Sequence, residues 1–329
     1  MRQYFRFVGA YISYLYHFYQ IRRKYGEKVM NELVGRPGLD QQQFTPHQQK
    51  RIDLYSYVGL YVNDCLATLR GRKMTGKEIE NTLYLSLLTP LLDDLTDNYQ
   101  LSSAQILEQL DQEGDGHPRQ FRLAAYLYNH IRKENKQELF AGTFSEALLS
   151  QDDSLQQLGD SGLGAEALFR ITCNKGSLWT LLFRLMLDHA LKTGEREAVE
   201  AFGELIQLTN DMFDVYKDVQ NGQQTCFTNT SDIAPLQQNY DHCLEEIVQH
   251  FSSLAYEKKH IRKTVGKLLV MGALGKVCLE QLKGCQEGSG GDFTPAAYTR
   301  KQLVCDMERW SNRLDYMKMS VQLYDRYLL

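Results

Sequence analysis

The chain has 329 residues and a formal net charge of −4, and 43% of its residues are hydrophobic. That hydrophobic fraction is enough for a sizeable core and excludes an intrinsically disordered chain. The mildly acidic balance excludes the basic footprint of a nucleic-acid-binding protein, so we expect no nucleic-acid partner. A polyanionic ligand would have to be held by local cations or metal ions.

Cysteine usage and hydropathy indicate the compartment. The 7 cysteines form no CxxC pair and have no metal-ligand spacing, which predicts neither a disulfide framework nor a zinc site. A reducing, cytoplasmic environment fits best. The apolar run at Phe7–Tyr11 is too short for a signal-peptide core, and no later segment approaches the roughly 18 apolar residues of a membrane span. The sequence therefore predicts a soluble chain without stable membrane insertion.

Helical periodicity runs through almost the whole chain. It predicts a first helix over Phe5–Asn31, followed by a breaker at Gly35–Gly38. Two capping boxes, at Thr45–Gln48 and Thr75–Glu78, predict the starts of the next two helices, which end near Arg70 and Asn98. Pro90 lies inside the second of these helices and predicts a kink.

The second half of the chain has the same periodicity. Shorter helices are expected over Ser103–Leu110, Arg119–Lys133 and Gln137–Leu149. Longer helices are expected over Ala165–Lys192, Glu195–Val219, Pro235–Lys283 and Thr294–Tyr327, with Gly222 as a C-terminal breaker. Neither strands nor solenoid repeats are evident. The sequence predicts one all-α domain, residues 1–329, with about ten or more helices.

Three carboxylates lie at the end of a leucine-rich helix, in the segment Leu91–Asp97. Asp93 and Asp97 share a face because residues four apart in a helix are neighbours, and Asp94 lies next to them. Since these carboxylates repel each other, something positive should offset them, and a divalent cation that prefers oxygen ligands is one candidate. A solvated helix end is the alternative.

A second set of oxygen ligands lies farther along the chain. Asn210, Asp214 and Asp218 follow one another at four-residue spacing and form one stripe over two turns. Asp211 lies beside the stripe, and Lys217 at its edge suits a phosphate oxygen. Apolar residues nearly surround this helix, which favours a lined central cavity over an exposed acidic face. Two such helices predict facing carboxylate walls around several magnesium ions, with a diphosphate as the natural substrate.

These residues resemble the all-α isoprenoid synthases, a superfamily of terpene synthases, squalene/phytoene synthases and chain-elongating prenyltransferases. Asp93-Asp94-Leu95-Thr96-Asp97 matches the first aspartate-rich motif, DDxxD. Asn210-Asp211-x-x-Asp214-x-x-Lys217-Asp218 looks like the terpene cyclase pattern NDxxSxxKE, with aspartates where Ser or Thr and Glu are usual. The stretch Ala201–Asp218 is also similar to the second aspartate helix of squalene/phytoene synthases. Asn98-Tyr99-Gln100 stand where chain-elongating enzymes usually carry an arginine pair.

The resemblance implies an isoprenoid synthase-like fold and an enzyme that ionises an allylic prenyl diphosphate to make a terpene product. It implies about three Mg²⁺ ions acting as Lewis acids on the leaving group. The implied metal ligands are Asp93, Asp97, Asn210, Asp214 and Asp218, and the implied catalytic motif is Asp93, Asp94 and Asp97. Head-to-head coupling, as in squalene/phytoene synthases, is the alternative within the superfamily. A homodimer is an expected assembly.

Basic and aromatic residues complete the expected site. Arg170 and Lys175 fall on the preceding helix, where such folds usually place a diphosphate-sensing cation, and Lys175-Gly176 predicts a helix break. Arg326-Tyr327 resembles the Arg-Tyr pair of some terpene cyclases. The expected diphosphate contacts are Arg170, Lys175, Lys217, Arg326 and Tyr327. The expected pocket residues are Trp179, Phe183, Gln207 and Asp211. Helix surface and plain core packing are the alternatives for these residues.

Two hypotheses of other classes stay open. Another metal-dependent enzyme, such as a diphosphate hydrolase, would use the same carboxylates without a closed apolar cavity. A non-catalytic helical interaction protein would leave both acidic stripes solvated. The sequence does not give the substrate chain length, because that depends on the depth of the cavity.

Overall fold

The computed structural model of the chain describes residues 2–34, 44–110, 118–159 and 162–328, and the side chains of these except 2–15, 34, 97 and 98. In these ranges the regular secondary structure is helical, with no strand. The predicted all-α class is confirmed. The predicted breaker at Gly35–Gly38 lies outside the described residues.

The described chain forms twelve α-helices, labelled here in chain order. They are α1 (Arg2–Val34), α2 (Pro46–Leu69), α3 (Gly76–Tyr99), α4 (Ser103–Leu110), α5 (Arg119–Glu134), α6 (Phe140–Leu155), α7 (Ala165–Arg184), α8 (Glu195–Asn221), α9 (Ala234–Ser253), α10 (Lys258–Gly288), α11 (Arg300–Leu303) and α12 (Trp310–Leu328). A 3-10 helix, Pro295–Ala297, precedes α11. None of the helices in the described ranges combines the length and the apolar character needed to cross a bilayer.

The contacts of the chain divide it into two compact units. The first unit comprises Ala10–Leu149 and Leu182–Ala190, and in it α3 packs against α2 and α5. The second unit comprises Met1–Gly9, Ser150–Leu181 and Leu191–Leu329, and in it α10 packs against α8, α9 and α12. The single domain over residues 1–329 stays a prediction.

Both predicted capping boxes are confirmed. At the start of α2, the Thr45 hydroxyl accepts the Gln48 backbone N–H, and the Gln48 side chain accepts the Thr45 backbone N–H. Thr75 and Glu78 make the same reciprocal pair at the start of α3. Each pair satisfies backbone donors that have no partner within the helix. Helix α3 then continues through Pro90 to Tyr99.

Helix α7 ends at Arg184, so the predicted end at Lys192 is wrong. The Arg184 side chain is fully buried and donates hydrogen bonds to the carbonyl oxygens of His189 and Ala190, at 3.1 and 3.4 Å. The guanidinium thereby holds a turn directly after the helix. Such a turn leaves no mark in the hydrophobic periodicity, because the arginine acts on carbonyl groups and not on side chains.

The two predicted long helices after Gly222 are also wrong. Pro235–Lys283 is divided into α9 and α10 at residues 254–257, where the Tyr256 hydroxyl donates to Glu195 at 2.6 Å. Lys192 lies over the Tyr256 ring and donates to the Ala255 carbonyl oxygen at 2.6 Å. These tertiary contacts hold the break without a glycine or proline. Residues 294–327 form the 3-10 helix, α11 and α12 instead of one helix.

Helices α7 and α8 cross in the second unit at two glycines. A Cβ placed at Gly176 would collide with the carbonyl oxygen of Gly203 and lie 2.6 Å from the Cβ of Gln207. A Cβ placed at Gly203 would collide with the carbonyl oxygen of Gly176 and lie 2.8 Å from the Cα of Ser177. Helix α7 is continuous here, so the predicted break at Lys175-Gly176 is wrong. The glycines serve the close approach of the two backbones.

Replacing Gly203 with alanine is expected to lower the melting temperature. The added methyl group forces the two backbones apart, and overpacking of this kind costs about 1–3 kcal/mol. The matched control is Gly284→Ala in α10, where a Cβ meets no atom within 4 Å. There the better helix propensity of alanine should raise stability by up to about 1 kcal/mol. Thermal melts of both variants check this, and equal melting temperatures would contradict the packing role.

Candidate functional site

The oxygen ligands of α8 differ in burial. Asp211 and Asp218 are buried, with 6% and 8% of their surface exposed, whereas Asp214 is half-buried and Asn210 is exposed. Residues seven apart lie on the same side of a helix, so Asp211 and Asp218 point in nearly the same direction. The buried part of the acidic stripe is thus centred on Asp211 and Asp218, with Asp214 at its edge. Sequence spacing alone centred it on Asn210, Asp214 and Asp218.

Asp211 connects α8 to α7. Its carboxylate accepts a hydrogen bond from the Thr172 hydroxyl at 3.0 Å and another from the Gln207 side-chain amide at 2.8 Å. Thr172 and Gln207 lie one turn from the Gly176–Gly203 crossing, so the close approach of the backbones brings these short side chains within reach. Gln207 and Asp211, predicted as pocket residues, therefore contact each other.

Folding raises the pKa of both buried aspartates. Burial raises the pKa of Asp211 to about 6, although the hydrogen bonds from Gln207 and Thr172 and the charge of Lys175 lower it. Burial, followed by the charges of Asp211 and Asp214, raises the pKa of Asp218 to about 7. Lys217 and Lys175 offset that rise only in part. The second unit thus holds more negative charge here than its described cations balance, and an added cation would relieve the penalty.

The lysines expected at the diphosphate lie near these carboxylates. Lys175 is half-buried on α7, next to Gly176, and its charge acts on both Asp211 and Asp218. Lys217 is exposed and forms an ion pair with Asp214 at 3.3 Å. These two lysines and the α8 aspartates therefore form one charged cluster within the second unit.

In the part of the chain that the structure describes, the other residues expected to contact the diphosphate lie outside this cluster. Arg170 is exposed, and it precedes Thr172 by two residues, which places it about 200° around α7 from the side that contacts Asp211. Arg326 forms an ion pair with Glu245 at 2.8 Å, and its guanidinium lies 5.0 Å from the centre of the Tyr327 ring. Their roles toward a diphosphate stay predictions.

Trp179 and Phe183, the expected aromatic pocket residues, are buried on α7 but belong to different units. The Phe183 ring lies against Gly59 of α2, where it would collide with any side chain, so it contributes to the core of the first unit. The indole N–H of Trp179 is buried and has no hydrogen-bond partner in the described part of the chain. Trp179 is on the same side of α7 as Thr172, because seven residues separate them.

In the first unit, the first aspartate motif forms an ion pair with Arg51, which was not predicted from the sequence. Arg51 of α2 donates from Nη2 to Asp93 Oδ2 at 2.8 Å and from Nη1 to Asp94 Oδ1. Gln48 donates to the other oxygen of Asp94 at 2.9 Å, and the Tyr55 hydroxyl donates to Asp93 at 3.2 Å. Burial alone lowers the pKa of Arg51, but the two aspartates raise it above its ordinary value.

The expected repulsion between Asp93 and Asp94 is therefore offset by a guanidinium of the chain itself. The side chain of Asp97, the third carboxylate of the motif, lies outside the described side chains. The spacing of Gln48, Arg51 and Tyr55 puts them on one face of α2, and this was the signal in the sequence that could have revealed the contact. That the first motif and the α8 stripe face each other stays a prediction.

A third group of titratable residues has the ligand types of a metal site. Glu78, Asp188 and His189 of the first unit offer ligand atoms that all lie within 4.8 Å of one another. The Arg72 guanidinium lies among them: it donates to both Glu78 oxygens and to Asp188 at 3.0 Å, and lies 3.2 Å from Nδ1 of His189. Because this guanidinium supplies the positive charge, the group holds the start of α3 to the turn after α7.

Glu78 is nearly fully buried, and its charge is stabilised in the folded chain. Burial would raise the pKa of Glu78, but hydrogen bonds from Arg72, Asp188 and the Thr75 backbone lower it well below its ordinary value. The folded state therefore binds fewer protons here than the unfolded state does. The stabilisation is present above the unfolded-state pKa of about 4.3 and is lost as the pH falls through the folded-state value.

Glu78→Gln is expected to lower the melting temperature at pH 7 and to flatten its fall toward low pH. Thermal melts between pH 3 and pH 7, a range chosen around the ordinary glutamate pKa of about 4.3, measure both effects. The control is Glu134→Gln, which removes an exposed partner of Lys77 and should change the melting temperature little. Parallel pH curves for the wild type and Glu78→Gln would contradict the argument.

Comparison with known proteins gives no family assignment. No family model matches this chain, and no curated protein sequence matches it. The function is therefore inferred from the chemistry of the residues described above.

Proposed function

We propose that the chain is a magnesium-dependent isoprenoid synthase that ionises an allylic prenyl diphosphate and converts the cation to a terpene product. The observation that supports this most directly is the excess of buried carboxylate over cation on α8. Burial, followed by the charges of Asp211 and Asp214, raises the pKa of Asp218 to about 7, although Lys217 and Lys175 lower it. A divalent cation at this position would offset the repulsion.

Magnesium fits the donor set of α8. This ion takes oxygen ligands, uses few protein carboxylates and keeps its remaining positions for water and substrate phosphates. Asp214 and Asp218 would hold it, with the amide oxygen of Asn210 one turn earlier as a further ligand. When bound, the ion supplies Lewis acidity to the phosphate oxygens. Participation of the first motif and a count of about three ions are further parts of the proposal.

Lys175 supports a diphosphate ligand in addition to the metal ion. Lys175 lies half-buried beside Gly176 at the α7–α8 crossing, and its charge lowers the pKa of both Asp211 and Asp218. A diphosphate that bridges the metal ion and Lys175 would gain charge-assisted hydrogen bonds. The same fixed charge would stabilise the diphosphate as it departs.

Trp179 favours isoprenoid chemistry over simple diphosphate hydrolysis. It lies one turn after Lys175 on α7 and is buried. An aromatic face next to a diphosphate site would stabilise an allylic cation through cation–π attraction. A hydrolase has no need for such a group, because water captures the cation or attacks phosphorus directly. Head-to-head coupling would use the same groups, and the product distinguishes it.

Incubation with prenyl diphosphates of increasing chain length and Mg²⁺ is expected to give a terpene hydrocarbon or alcohol. Asp214→Asn and Asp93→Asn should each abolish turnover, because each removes a metal ligand, and both variants should stay folded by circular dichroism. Gas chromatography with mass spectrometry identifies the product. A head-to-head coupled product would favour the squalene/phytoene synthase type, and a simple prenol would favour a hydrolase. No reaction with any substrate would contradict the proposal.

Lys175→Gln is expected to weaken Mg²⁺-dependent pyrophosphate binding. Loss of one charge-assisted contact costs about 1.5–3 kcal/mol, which is roughly ten- to a hundredfold in Kd. Lys283→Gln is the matched control, since it removes an exposed lysine of α10 in the same unit that is not expected to contact the diphosphate. Calorimetric titration measures both values. If both variants bind pyrophosphate as the wild type does, the α7–α8 cluster is not a diphosphate site.

A further inference from the structure

We propose that Arg51 is an internal counter-ion of the first aspartate motif, which a divalent cation must displace before it binds Asp93 and Asp94. The inference rests on the proposed function in taking Asp93 as a metal ligand, and it adds Asp94 to the ligands. It adds that the chain opposes metal binding at this motif with its own guanidinium. Arg51 is thus a positioning residue that acts through Asp93 and Asp94.

The geometry of the Arg51 contact is the first observation that supports this proposal. One guanidinium spans two adjacent carboxylates, donating from Nη2 to Asp93 at 2.8 Å and from Nη1 to Asp94. The exposed fractions of the three side chains are 22%, 16% and 10%. Because they are partly withdrawn from water, their attraction is less screened than that of a surface ion pair. The contact is therefore stronger than a fully exposed ion pair between the same groups would be.

The neighbours of Arg51 on α2 also donate hydrogen bonds to the two carboxylates. Gln48 donates to the Asp94 oxygen that Arg51 does not contact, and the Tyr55 hydroxyl donates to Asp93. Each donor occupies an oxygen lone pair that a metal ion could use. Helix α2 thus presents three hydrogen-bond donors to the carboxylates of the motif, and a metal ion would compete with each of them.

The positive charge of Arg51 also opposes a second cation at the motif. A divalent ion bound to Asp93 would lie within a few ångströms of the guanidinium, and like charges at such a distance in a partly buried site repel strongly. The guanidinium and the divalent ion therefore cannot occupy the two carboxylates at the same time. The motif therefore binds a divalent ion more weakly than it would without Arg51. The difference in affinity equals the stabilisation that the Arg51 contacts give the carboxylates.

The experiment compares Arg51→Gln with Arg22→Gln in the full chain. Arg22 is a matched control, because it pairs with Asp53 in the same unit and its side chain is similarly exposed, at 27%. Mn²⁺ alone, titrated with electron paramagnetic resonance, reports affinity, and melting curves with and without Mg²⁺ report stability. Both variants should melt lower without metal. Only Arg51→Gln should gain divalent affinity, by about ten- to a hundredfold, and a larger rise in melting temperature with Mg²⁺.

Two further variants locate the effect. Asp94→Asn in the Arg51→Gln background should remove the gain, because it removes one of the released ligands. Arg51→Lys keeps the charge but loses the forked contact, so its gain in Mn²⁺ affinity should be smaller than that of Arg51→Gln. It serves as the test if Arg51→Gln does not fold. Unchanged or weaker Mn²⁺ binding in Arg51→Gln, or in Arg51→Lys where that is the test, overturns the inference. A gain of equal size in Arg22→Gln overturns it as well.

The outcome is separable from that of the proposed function. The Mn²⁺ titration needs neither substrate nor turnover, so a gain in Arg51→Gln supports the counter-ion role even if no prenyl diphosphate reacts. Turnover by the wild type together with unchanged Mn²⁺ affinity in Arg51→Gln overturns only the counter-ion role.

Discussion

A carboxylate that is withdrawn from water needs a positive charge beside it, or it takes up a proton, and much of this structure follows from that requirement. In the first unit, Arg51 balances Asp93 and Asp94, and Arg72 balances Glu78. In the second unit, Lys175 and Lys217 offset the burial of the α8 aspartates only in part, and the pKa values of Asp211 and Asp218 rise. A cation added beside Asp211 and Asp218 would offset part of this cost.

The geometry of the α8 cluster depends on two residues without side chains. Because Gly176 and Gly203 let the backbones of α7 and α8 touch, Thr172 reaches Asp211 with a short hydroxyl group. A larger residue at either glycine would separate the helices and move Lys175 away from the carboxylates. Packing density, electrostatics and the candidate chemistry therefore meet at one helix crossing.

Features that depend on neighbours in the sequence were predictable, and features that depend on distant partners were not. The capping boxes at Thr45 and Thr75 each involve residues three apart, and the end of α8 follows from the positive φ of Gly222, 66°. The break between α9 and α10 involves Tyr256 and Glu195, which are 61 residues apart. Hydrophobic periodicity carries no information about such a pair. The α8 stripe was predictable because helical geometry fixes its spacing, whereas the Arg51–Asp93 pair joins residues 42 apart.

In the proposed function, the buried aspartates of α8 would also connect the lifetime of the protein to the supply of divalent ions. An acid whose pKa rises on folding weakens the folded state at neutral pH, and a cation that binds only the folded chain restores the lost stability. Proteases act on chains that open transiently, and the open fraction grows as stability falls. If α8 binds the proposed divalent ion, more of the protein is degraded when that ion is scarce. Cellular abundance would then depend on metal supply without any dedicated regulator.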